Sequence, residues 1–397
     1  MIKYIDEIDV SEKRVFMRVD FNVPLDENCE IADDHRIRAA LPSVRYAVDK
    51  GARLIVASHL GRPKGERVPE LSLAPVASRL SQLIGKEVAM APDCVGPEAE
   101  KMASDLQPGG VLLLENLRYH KEEQANDPDF ARALASLADV YINDAFAVSH
   151  RAHASVVGVP SFLDECAGGF LLKNEITYFE KAMKEPDRPL LAILGGAKVS
   201  SKLGAIENIL KRVDKLIIGG AMANTFLLAE GVAVGRSLTE PDLLDTAKAI
   251  MEQADKSGIE LLLPVDCIAA SGLEADADVV TVNVSQVPDD MMVVDIGPKT
   301  IDLFKETIAE AATIVWNGPM GAFEIEPFSR GTMEVAHAVG ASPALSIIGG
   351  GDTDLAVQRA GEAENVSYMS TGGGAFLMLL EGKELPGFRA LEQCCAK

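Results

Sequence analysis

The chain has 397 residues, of which 48% are hydrophobic and 25% are charged. This composition is typical of a folded globular protein and excludes an intrinsically disordered one, and the length predicts two or three domains. Acidic residues outnumber basic ones by 60 to 38, so the formal net charge is −22. Nucleic acids and anionic membrane surfaces bind basic proteins, so we expect no nucleic-acid and no membrane partner.

The amino terminus and the cysteines indicate a cytoplasmic protein. The first ten residues, MIKYIDEIDV, lack the basic segment and long apolar run of a secretory signal, and no stretch approaches the roughly 20 apolar residues of a membrane span. The six cysteines are scattered without a CxxC pair. In a chain of this size, that distribution predicts reduced thiols in the cytosol rather than a disulfide framework or a zinc site.

Short apolar runs alternate with helical segments through the first half of the chain. The predicted strands are 15–19, 54–57, 111–114 and 140–142, and the predicted helices include 36–48 and 129–137. Another amphipathic helix is predicted over 170–184. It ends at a segment containing Pro186 and Pro189, because proline interrupts helical hydrogen bonding. This helix divides the chain into two halves, each long enough for a core of its own.

The second half repeats the alternation. Its predicted strands are 190–194, 215–218, 261–263, 313–316 and 345–348, and its predicted helices are 202–212, 242–256 and 328–339. Nearly continuous apolar strands that alternate with helices predict parallel sheets covered by helices on both faces. We therefore expect an α/β fold, with the tail from residue 382 packed on the protein.

In the first half, cationic residues follow the predicted strands, where an open parallel sheet binds its ligand. The residues in these loops are Asp20, Phe21, Asn22, Arg36, His59, Leu60, Gly61, Arg62, Arg118, His150, Arg151 and His153. Any single arginine here is more simply explained as a solvated side chain. Four at equivalent strand ends indicate a site for a small, multiply charged anion, because guanidinium groups bind phosphate and carboxylate oxygens in pairs. His35 and His120 have no such position, and we expect both to be solvated.

In the second half, glycines follow the predicted strands. The loops contain Gly195, Gly196, Gly219, Gly220, Asn317, Gly318, Gly349, Gly350, Gly351, Gly372, Gly373 and Gly374. Glycine lets main-chain amides approach a phosphate closely, although each loop alone is also compatible with a tight turn. Lys198 and Lys202, four residues apart at a predicted helix start, are expected to project from one face toward that phosphate. Neither a GxxxxGK[ST] loop nor a GxGxxG fingerprint occurs.

Two carboxylates near these glycines have two interpretations each. Asp352 follows three glycines at a predicted helix start, where it is either a helix N-cap or a ligand for nucleotide-bound Mg²⁺. Glu324 is either a hydrogen-bond acceptor for a ribose or a solvated surface residue. Position alone does not decide between these interpretations.

Taken together, these segments resemble the phosphoglycerate kinase family. The matching segments are RVDFNVP (18–24), SHLGRP (58–63), ENLRYH (115–120), INDAFAVSHRAHAS (142–155), LGGAKVSSK (194–202), WNGPMGAFE (316–324), GGGDT (349–353) and TGGGAFLMLLEGKELPG (371–387). The resemblance implies two Rossmann-like domains joined by a hinge helix. Residues 1–172 would bind 3-phosphoglycerate and carry the returning tail 382–397, residues 173–185 would form the hinge, and residues 186–381 would bind ADP or ATP with Mg²⁺.

The resemblance also implies roles for individual residues in a monomeric glycolytic enzyme. Those for 3-phosphoglycerate are Asp20, Phe21, Asn22, Arg36, His59, Leu60, Gly61, Arg62, Arg118 and Arg151. Those for the nucleotide are Lys202, Gly220, Asn317, Gly318, Glu324, Gly350, Gly351, Asp352 and Thr353, with Asp352 as the metal ligand. The catalytic residues would be Arg36, Lys202, Lys198, Gly373 and Gly374. Phe376 and Phe388 are bulkier than the residues common at these positions in the family.

The implied reaction is phosphoryl transfer between the carboxyl phosphate of 1,3-bisphosphoglycerate and ADP. Each nucleophile is already an anion at pH 7, since a carboxylate has a pKa of about 4 and a terminal phosphate one of about 6. No general base is therefore needed, and domain closure would align the ligands and exclude water. Two other functions stay open: a nicotinamide-dependent dehydrogenase, which normally has the GxGxxG fingerprint, and a non-catalytic two-domain anion-binding protein, of which the extracellular examples carry export signals.

Overall fold

The computed structural model describes residues 2–396. Its internal contacts divide the chain into two compact units. The first unit contains the chain up to Ile176 together with the segment from Glu384, and the second is Thr177–Lys383. The second unit is therefore continuous in sequence, whereas the first is built from both ends of the chain. No helix within residues 2–396 combines the length and hydropathy of a membrane-spanning segment.

The first unit is built on a parallel sheet. Its strands are β1 (Arg14–Val19), β2 (Arg53–Ala57), β3 (Val88–Met90), β4 (Val111–Leu113), β5 (Val140–Asp144) and β6 (Cys166–Gly168), in the spatial order β3-β4-β2-β1-β5-β6. The register aligns Val19 with Asp144 and Arg18 with Ala57. The carboxyl ends of the central strands therefore lie side by side, and the loops that follow them start from one edge.

Helices cover this sheet. They are α1 (His35–Asp49), α2 (Ala74–Ile84), α3 (Pro97–Asp105), α4 (Lys121–Ala125), α5 (Pro128–Ala135) and the start of α6 (Phe170–Met183). Val15, Met17 and Val19 of β1 belong to one buried cluster with Ile37 of α1 and Val76 of α2. The strands are apolar on both faces because helices pack on both, as the sequence predicts.

The second unit contains a second parallel sheet and a smaller sheet. Its strands are β7 (Leu190–Leu194), β8 (Lys215–Ile218), β9 (Glu260–Leu262), β10 (Asp266–Ala270), β11 (Val279–Asn283), β12 (Met292–Ile296), β13 (Thr313–Asn317), β14 (Leu345–Gly349) and β15 (Tyr368–Ser370). The parallel sheet has the order β15-β14-β13-β7-β8-β9. Its helices are α7 (Leu203–Ile209), α8 (Met222–Ala229), α9 (Leu244–Lys256), α10 (Pro298–Ala309), α11 (Arg330–Ala341), α12 (Gly351–Arg359) and α13 (Gly373–Leu380). The predicted α/β class is confirmed.

The smaller sheet is antiparallel and differs from the expectation of parallel sheets alone. Its strand order is β11-β10-β12, and both pairings are antiparallel. Strand β11 is largely exposed, with Val279 at 51% of its full accessibility. An exposed strand does not need the continuous apolar run of a covered parallel strand, so the sequence pattern does not predict β11.

The last helix, α14 (Pro386–Cys395), packs on the first unit. The Gly387 amide donates to the Ser149 carbonyl at 2.9 Å, and the Phe388 ring lies 6.2 Å from that of Phe146. A disulfide joins Cys166 of β6 to Cys394 of α14. The prediction of reduced thiols is therefore wrong for this pair. The two cysteines are 228 positions apart and meet only because α14 returns to β6.

The second bulky residue is accommodated inside the second unit. The Phe376 side chain is 1% exposed and packs edge-on against Phe179 at 6.0 Å between ring centroids. A Cβ atom on Gly349 would come within 2.2 Å of the Phe376 ring. The large side chain therefore fits because the facing strand ends in a glycine.

Candidate active site

The first unit gathers cationic side chains at the carboxyl end of its sheet, which we name the arginine cluster: Arg18, Arg36, Arg118 and Arg151. All four act electrostatically on His59, which is 3% exposed and follows β2. Arg36 comes from the first turn of α1, Arg118 from the turn after β4, and Arg151 from the segment after β5. The four arginines, which end or follow the three strands β1, β4 and β5, are thus close to one histidine.

Asp20 and Asn22 organise the loop after β1. The Asp20 carboxylate forms an ion pair with the Arg36 guanidinium, and its other oxygen lies 3.6 Å from His59 Nδ1. Asn22 Oδ1 accepts a hydrogen bond of 2.8 Å from the Gly61 amide. Phe21 is fully buried, and its amide donates to Ser58 Oγ at 2.8 Å. The loop after β1 is therefore fastened to the loop after β2.

The loop after β2 is held by main-chain contacts that leave Gly61 in a left-handed conformation. Leu60 is bonded to the Asn116 amide group through both its N–H (3.2 Å) and its carbonyl (2.7 Å). Gly61 has φ +61°, and a Cβ atom there would lie 2.7 Å from a Leu71 methyl group. The Gly61 carbonyl accepts a hydrogen bond of 2.7 Å from Arg118 Nη1. The glycine thus gives Arg118 a close main-chain partner.

Positive charge in the arginine cluster is only partly balanced. Burial, followed by the charges of Arg151 and Arg18, lowers the pKa of Arg118 to about 10. Its Nε is buried without a hydrogen-bond partner among the described residues. Crowded cations with an unused donor are an unfavourable arrangement that an anion would relieve.

The histidines beside the cluster are neutral at pH 7. Burial, then the charge of Arg18, holds the pKa of His59 well below its usual range. The same causes lower the pKa of His153 to about 3. Burial also lowers the pKa of His150, whose Nε2 accepts a hydrogen bond of 3.2 Å from Arg151 Nε. These residues therefore supply shape and hydrogen bonds, and the guanidinium groups supply the charge.

A fully buried carboxylate lies behind the cluster. Glu123 accepts hydrogen bonds from the amide of Ser155 at 2.9 Å and from its hydroxyl at 2.5 Å. Ser155 Oγ in turn accepts a hydrogen bond of 2.8 Å from Arg18 Nε, and Arg18 Nη2 lies 3.2 Å from His59 Nδ1. Arg18, Ser155 and Glu123 are absent from the predicted site. An arginine inside the apolar run VFMRV is the signal that could have identified Arg18.

Two positively charged residues of the predicted site lie away from these networks. Arg62 is exposed on the turn after Gly61, without a hydrogen bond or ion pair to any residue between 2 and 396. Lys198 is exposed in the loop after β7. Helix α7 begins at Leu203, so the expectation that Lys198 and Lys202 share a helix face is wrong. Glu240 accepts hydrogen bonds from the Ser200 amide and hydroxyl. Ser200 begins the turn 200–202 that separates Lys198 from α7.

In the second unit, the loops after β7, β8 and β13 meet through their main chains, and we name them the glycine cluster. The Gly196 amide donates to the Pro319 carbonyl at 3.0 Å, and the Gly220 amide to the Met320 carbonyl at 3.1 Å. A Cβ atom on Gly220, which has φ +66°, would come within 2.5 Å of the Gly196 nitrogen. Only a glycine lets the three loops approach this closely.

Lys202 occupies the N-cap position of α7 beside this cluster. Its ammonium donates to Asn317 Oδ1 and to the Asn317 carbonyl, the latter at 3.2 Å. Burial lowers the pKa of Lys202 to about 8, although the nearby Asp352 charge opposes this shift. Asn317 Nδ2 donates to the Gly349 carbonyl, which fixes the amide orientation. Within residues 2–396 no carboxylate is in direct contact with the Lys202 ammonium, so it can bind an incoming anion.

The first turns of two helices lie side by side near this lysine. Helix α12 begins at Gly351 and α13 at Gly373, and a Cβ atom on Gly373 would lie 3.1 Å from Gly350 Cα. Gly350 occupies the N-cap of α12, so the N-cap interpretation of Asp352 is wrong. Thr353 Oγ1 accepts a hydrogen bond of 2.7 Å from the Gly318 amide. The first amides of a helix have no partner within that helix, so two adjacent helix starts favour phosphate binding.

A cavity of about 320 Å³ opens beside the glycine cluster. Its polar lining includes Asn224, Glu324 and Asp352, and its apolar wall includes Leu238, Leu273, Val284 and Met292. Glu324 and Asp352 are exposed to solvent. The apolar wall was not predicted, because part of it comes from the antiparallel sheet and from two leucines that are 47% and 52% exposed.

Comparisons with known proteins identify the family. The model of the phosphoglycerate kinase family matches residues 5–383. The phosphoglycerate kinase of Geobacter metallireducens is 57% identical over 393 residues, 99% of each chain, and that of Syntrophobacter fumaroxidans is 54% identical over 396 residues, 100% of each chain. The solved phosphoglycerate kinase of Coxiella burnetii is 41% identical with a TM-score of 0.90 and covers 99% of each chain. The solved structure from Pyrococcus horikoshii is 34% identical with a TM-score of 0.85 and covers 100% of each chain. The chain therefore belongs to the phosphoglycerate kinase family, and it is a kinase that transfers a phosphoryl group with a carboxyl group as acceptor.

Proposed function

We propose that the arginine cluster binds 3-phosphoglycerate or 1,3-bisphosphoglycerate and that the glycine cluster binds ADP or ATP. The proposal assigns residues 1–172 with the tail 382–397 to the acid substrate, 186–381 to the nucleotide and 173–185 to a hinge. The acid-site residues are Asp20, Phe21, Asn22, Arg36, His59, Leu60, Gly61, Arg62, Arg118 and Arg151. The nucleotide-site residues are Lys202, Gly220, Asn317, Gly318, Glu324, Gly350, Gly351, Asp352 and Thr353.

The observation that carries the acid site is the group of arginines beside neutral histidines, in which Arg18 and Arg118 are buried and Arg36 and Arg151 are partly exposed. Arg118 is buried with an unused Nε donor, and its pKa is lowered to about 10 by burial and by other arginines. A phosphate or carboxylate bound there would supply the missing negative charge and accept from guanidinium donors in pairs. 3-Phosphoglycerate is small and carries both a phosphate and a carboxylate. Arginines that come from several strand ends can therefore contact both of its anionic groups.

The nucleotide site is supported by the cavity, the lysine and the helix termini. The apolar wall containing Leu238 and Leu273 offers a surface for a base, and Glu324 in the same lining offers an acceptor for ribose hydroxyls. Lys202, with Gly373 and Gly374 at the start of α13, offers cationic and amide donors for the phosphates.

Mg²⁺ fits the residues present. Asp352 is exposed in the first turn of α12, lines the cavity and acts electrostatically on Lys202, so its carboxylate is available as one ligand. Magnesium takes one or two carboxylates and fills its remaining positions with water and phosphate oxygens. When bound, Mg²⁺ supplies positive charge to the nucleotide phosphates; Asp352 supplies its protein ligand.

The chemistry needs no general base. An oxygen of the ADP β-phosphate forms a bond to the phosphorus of the acyl phosphate, and the bond from that phosphorus to the carboxyl oxygen breaks with its electron pair. The leaving group is a carboxylate, so no proton moves. Arg36 and Lys202 neutralise the charge of the transferred group, with Lys198 and the Gly373 and Gly374 amides in support. His59 and His153 are neutral because of burial and the nearby arginines. The mechanism assigns neither histidine a proton transfer.

Direct transfer requires that both ligands come together in a site without water. Helix α6 connects the two units and is the proposed hinge for this closure. Water would otherwise hydrolyse the acyl phosphate. The proposal includes a monomeric cytoplasmic enzyme in glycolysis, and light scattering of the purified protein measures the oligomeric state.

A coupled assay of Arg36→Ala tests the proposal. Because its role is charge neutralisation in the transition state, we expect kcat to fall by about 100-fold or more, with a much smaller change in KM for 3-phosphoglycerate. Arg38→Ala is the matched control, since Arg38 lies on the same helix but pairs with Asp34 at the surface. A change confined to KM, or an equal effect of both variants, would contradict the assignment. Absence of turnover by the wild type with ATP, 3-phosphoglycerate and Mg²⁺ would overturn the proposed substrates.

A further inference from the structure

A second cluster of ligating side chains lies in the first unit and has no part in the proposed reaction. It consists of Asp93 and Cys94, in the segment after β3, and His120, the residue before α4, and we name it the Asp93–Cys94–His120 cluster. Their potential ligand atoms all lie within 4.8 Å of one another. His120 Nε2 is 2.7 Å from Asp93 Oδ1. The expectation that His120 is solvated is therefore wrong.

The cluster is held by main-chain and ring contacts. The Ala91 amide donates to the Leu113 carbonyl at 2.9 Å, which continues the β3–β4 pairing toward Asp93. The Cys94 amide donates to Asp93 Oδ1 at 2.6 Å. On the other side, the His120 amide donates to the Leu117 carbonyl at 3.2 Å, and the imidazole packs on Phe130 with 5.2 Å between ring centroids. Neither segment needs to rearrange for the three side chains to meet.

Access differs between the three residues. The Cys94 side chain is fully buried, whereas the side chains of Asp93 and His120 are 39% and 27% exposed. The thiol therefore forms the floor of the cluster, and the carboxylate and imidazole form its opening to solvent. A small cation can enter from that side without unfolding of the protein.

The donor set selects the kind of cation. Thiolate sulfur, imidazole nitrogen and carboxylate oxygen together are typical ligands of Zn²⁺, whereas Mg²⁺ and Ca²⁺ prefer oxygen alone. Two ligand atoms on a tetrahedral zinc ion are about 3.3 to 3.6 Å apart. The separations of 4.8 Å or less in the cluster are compatible with this value after small side-chain adjustments.

The charges also suit a divalent cation. A carboxylate, a thiolate and a neutral imidazole carry a total of two negative charges, which Zn²⁺ balances. Binding replaces the thiol proton, which is released to the buffer. We propose that Asp93, Cys94 and His120 bind one Zn²⁺, with water as the fourth ligand. This site is separate from the proposed Mg²⁺ ligand Asp352, which belongs to the other unit.

The alternative is a hydrogen-bonded cluster that only fastens the β3 loop to α4. It predicts no metal affinity above that of scattered thiols and carboxylates. The two interpretations also differ in spectroscopy, because only a sulfur ligand produces thiolate-to-metal charge transfer.

The test is Zn²⁺ competition with a chromophoric chelator, together with Co²⁺ absorption spectra, on the full chain without nucleotide. The variants are Cys94→Ser and His120→Gln. Cys267→Ser is the matched control, since Cys267 is also a buried free thiol that directly follows an aspartate, Asp266. We expect wild type and Cys267→Ser to bind one Zn²⁺ equally. Cys94→Ser and His120→Gln should bind it at least about 10-fold more weakly, because loss of a direct ligand costs no less than loss of a partner behind one. The Co²⁺ complex should show charge-transfer absorption that Cys94→Ser abolishes.

Two results would overturn the proposal: Zn²⁺ affinity unchanged in both cluster variants, or a Co²⁺ spectrum of the wild type without charge transfer. Circular dichroism checks that each variant is folded. His120→Gln keeps the test decisive if Cys94→Ser does not fold, because His120 is partly exposed and a glutamine can occupy its place.

Discussion

The disulfide between Cys166 and Cys394 should stabilise the first unit by an amount that the chain connectivity sets. When the whole chain unfolds, the link closes a loop of 228 residues, which corresponds to about 5 kcal/mol of lost unfolded-state entropy. When only the first unit unfolds, the folded second unit spans most of that loop. The flexible part is then residues 167–176 and 384–393, roughly 20 residues, and the effect falls to about 3 kcal/mol.

Guanidinium unfolding of oxidised and reduced protein measures this effect. A slope of roughly 4 kcal/mol per molar for a unit of this size converts 3 kcal/mol into a midpoint shift of roughly 0.7 M. Far-ultraviolet circular dichroism follows both units, whereas Trp316, the single tryptophan, is buried in the second unit and reports on it alone. We expect reduction to move the dichroism transition of the first unit and to move the fluorescence transition less.

Two variants and a thiol count complete this test. Cys166→Ser should unfold like the reduced wild type and should not respond to reductant; it is preferred to a change at Cys394 because the neighbouring Cys395 could replace that residue. Cys29→Ser, which removes a free thiol, should behave like wild type. The denatured oxidised protein should expose four thiols and the reduced protein all six. Equal midpoints before and after reduction, or six thiols without reductant, would refute the reasoning.

Three further predictions concern buried ionisable groups. Burial lowers the pKa of Lys202 to about 8, so the ammonium loses its charge above that pH. The value of kcat/KM for MgATP should therefore fall about tenfold per pH unit above pH 8, and Lys202→Arg should remove this slope. A wild-type profile that is flat above pH 8 would refute this role of the Lys202 charge. Burial raises the pKa of Asp144 to about 7, so the ionised form destabilises the folded state. The unfolding free energy should therefore decrease from about pH 4 to about pH 7, on the order of 4 kcal/mol, and denaturation of Asp144→Asn should lack this decrease. Glu123→Gln should lower the unfolding free energy by about 2 kcal/mol because it weakens two hydrogen bonds to a carboxylate. Glu122→Gln, a change at the half-buried neighbour, should alter the unfolding free energy little. Equal melting temperatures of the two variants would count against the role of Glu123.

The parallel sheets and the charged loops were predictable because their physical causes are local. A strand covered on both faces has to be apolar throughout, and β7 and β8 have the predicted bounds 190–194 and 215–218. The arginines that follow β4 and β5 were assigned to one site because parallel strands end at one edge. Arg118 and Arg151 indeed both act on His59.

The features that escaped prediction depend on distant residues or on exposed elements. Cys166 and Cys394 meet through the return of α14, and Asp93 meets His120 through the pairing of β3 with β4. Neither proximity has a counterpart in sequence spacing. The antiparallel sheet is exposed on β11 and thus lacks the apolar pattern of a covered strand. Lys198 lies outside α7 because Glu240 holds the preceding turn, which is again a contact between distant residues.

The discontinuity of the first unit has a consequence for synthesis on the ribosome. Thr177–Lys383 is made as one uninterrupted stretch and needs no residue from outside that stretch to complete its unit. The earlier-translated unit has to wait for α14, whose Cys394 is made 228 residues after its partner on β6. The unit that is begun first therefore lacks its last helix until the end of the chain is made. Released chains that are truncated before residue 386 should protect the later half from proteases, while the amino-terminal half stays vulnerable.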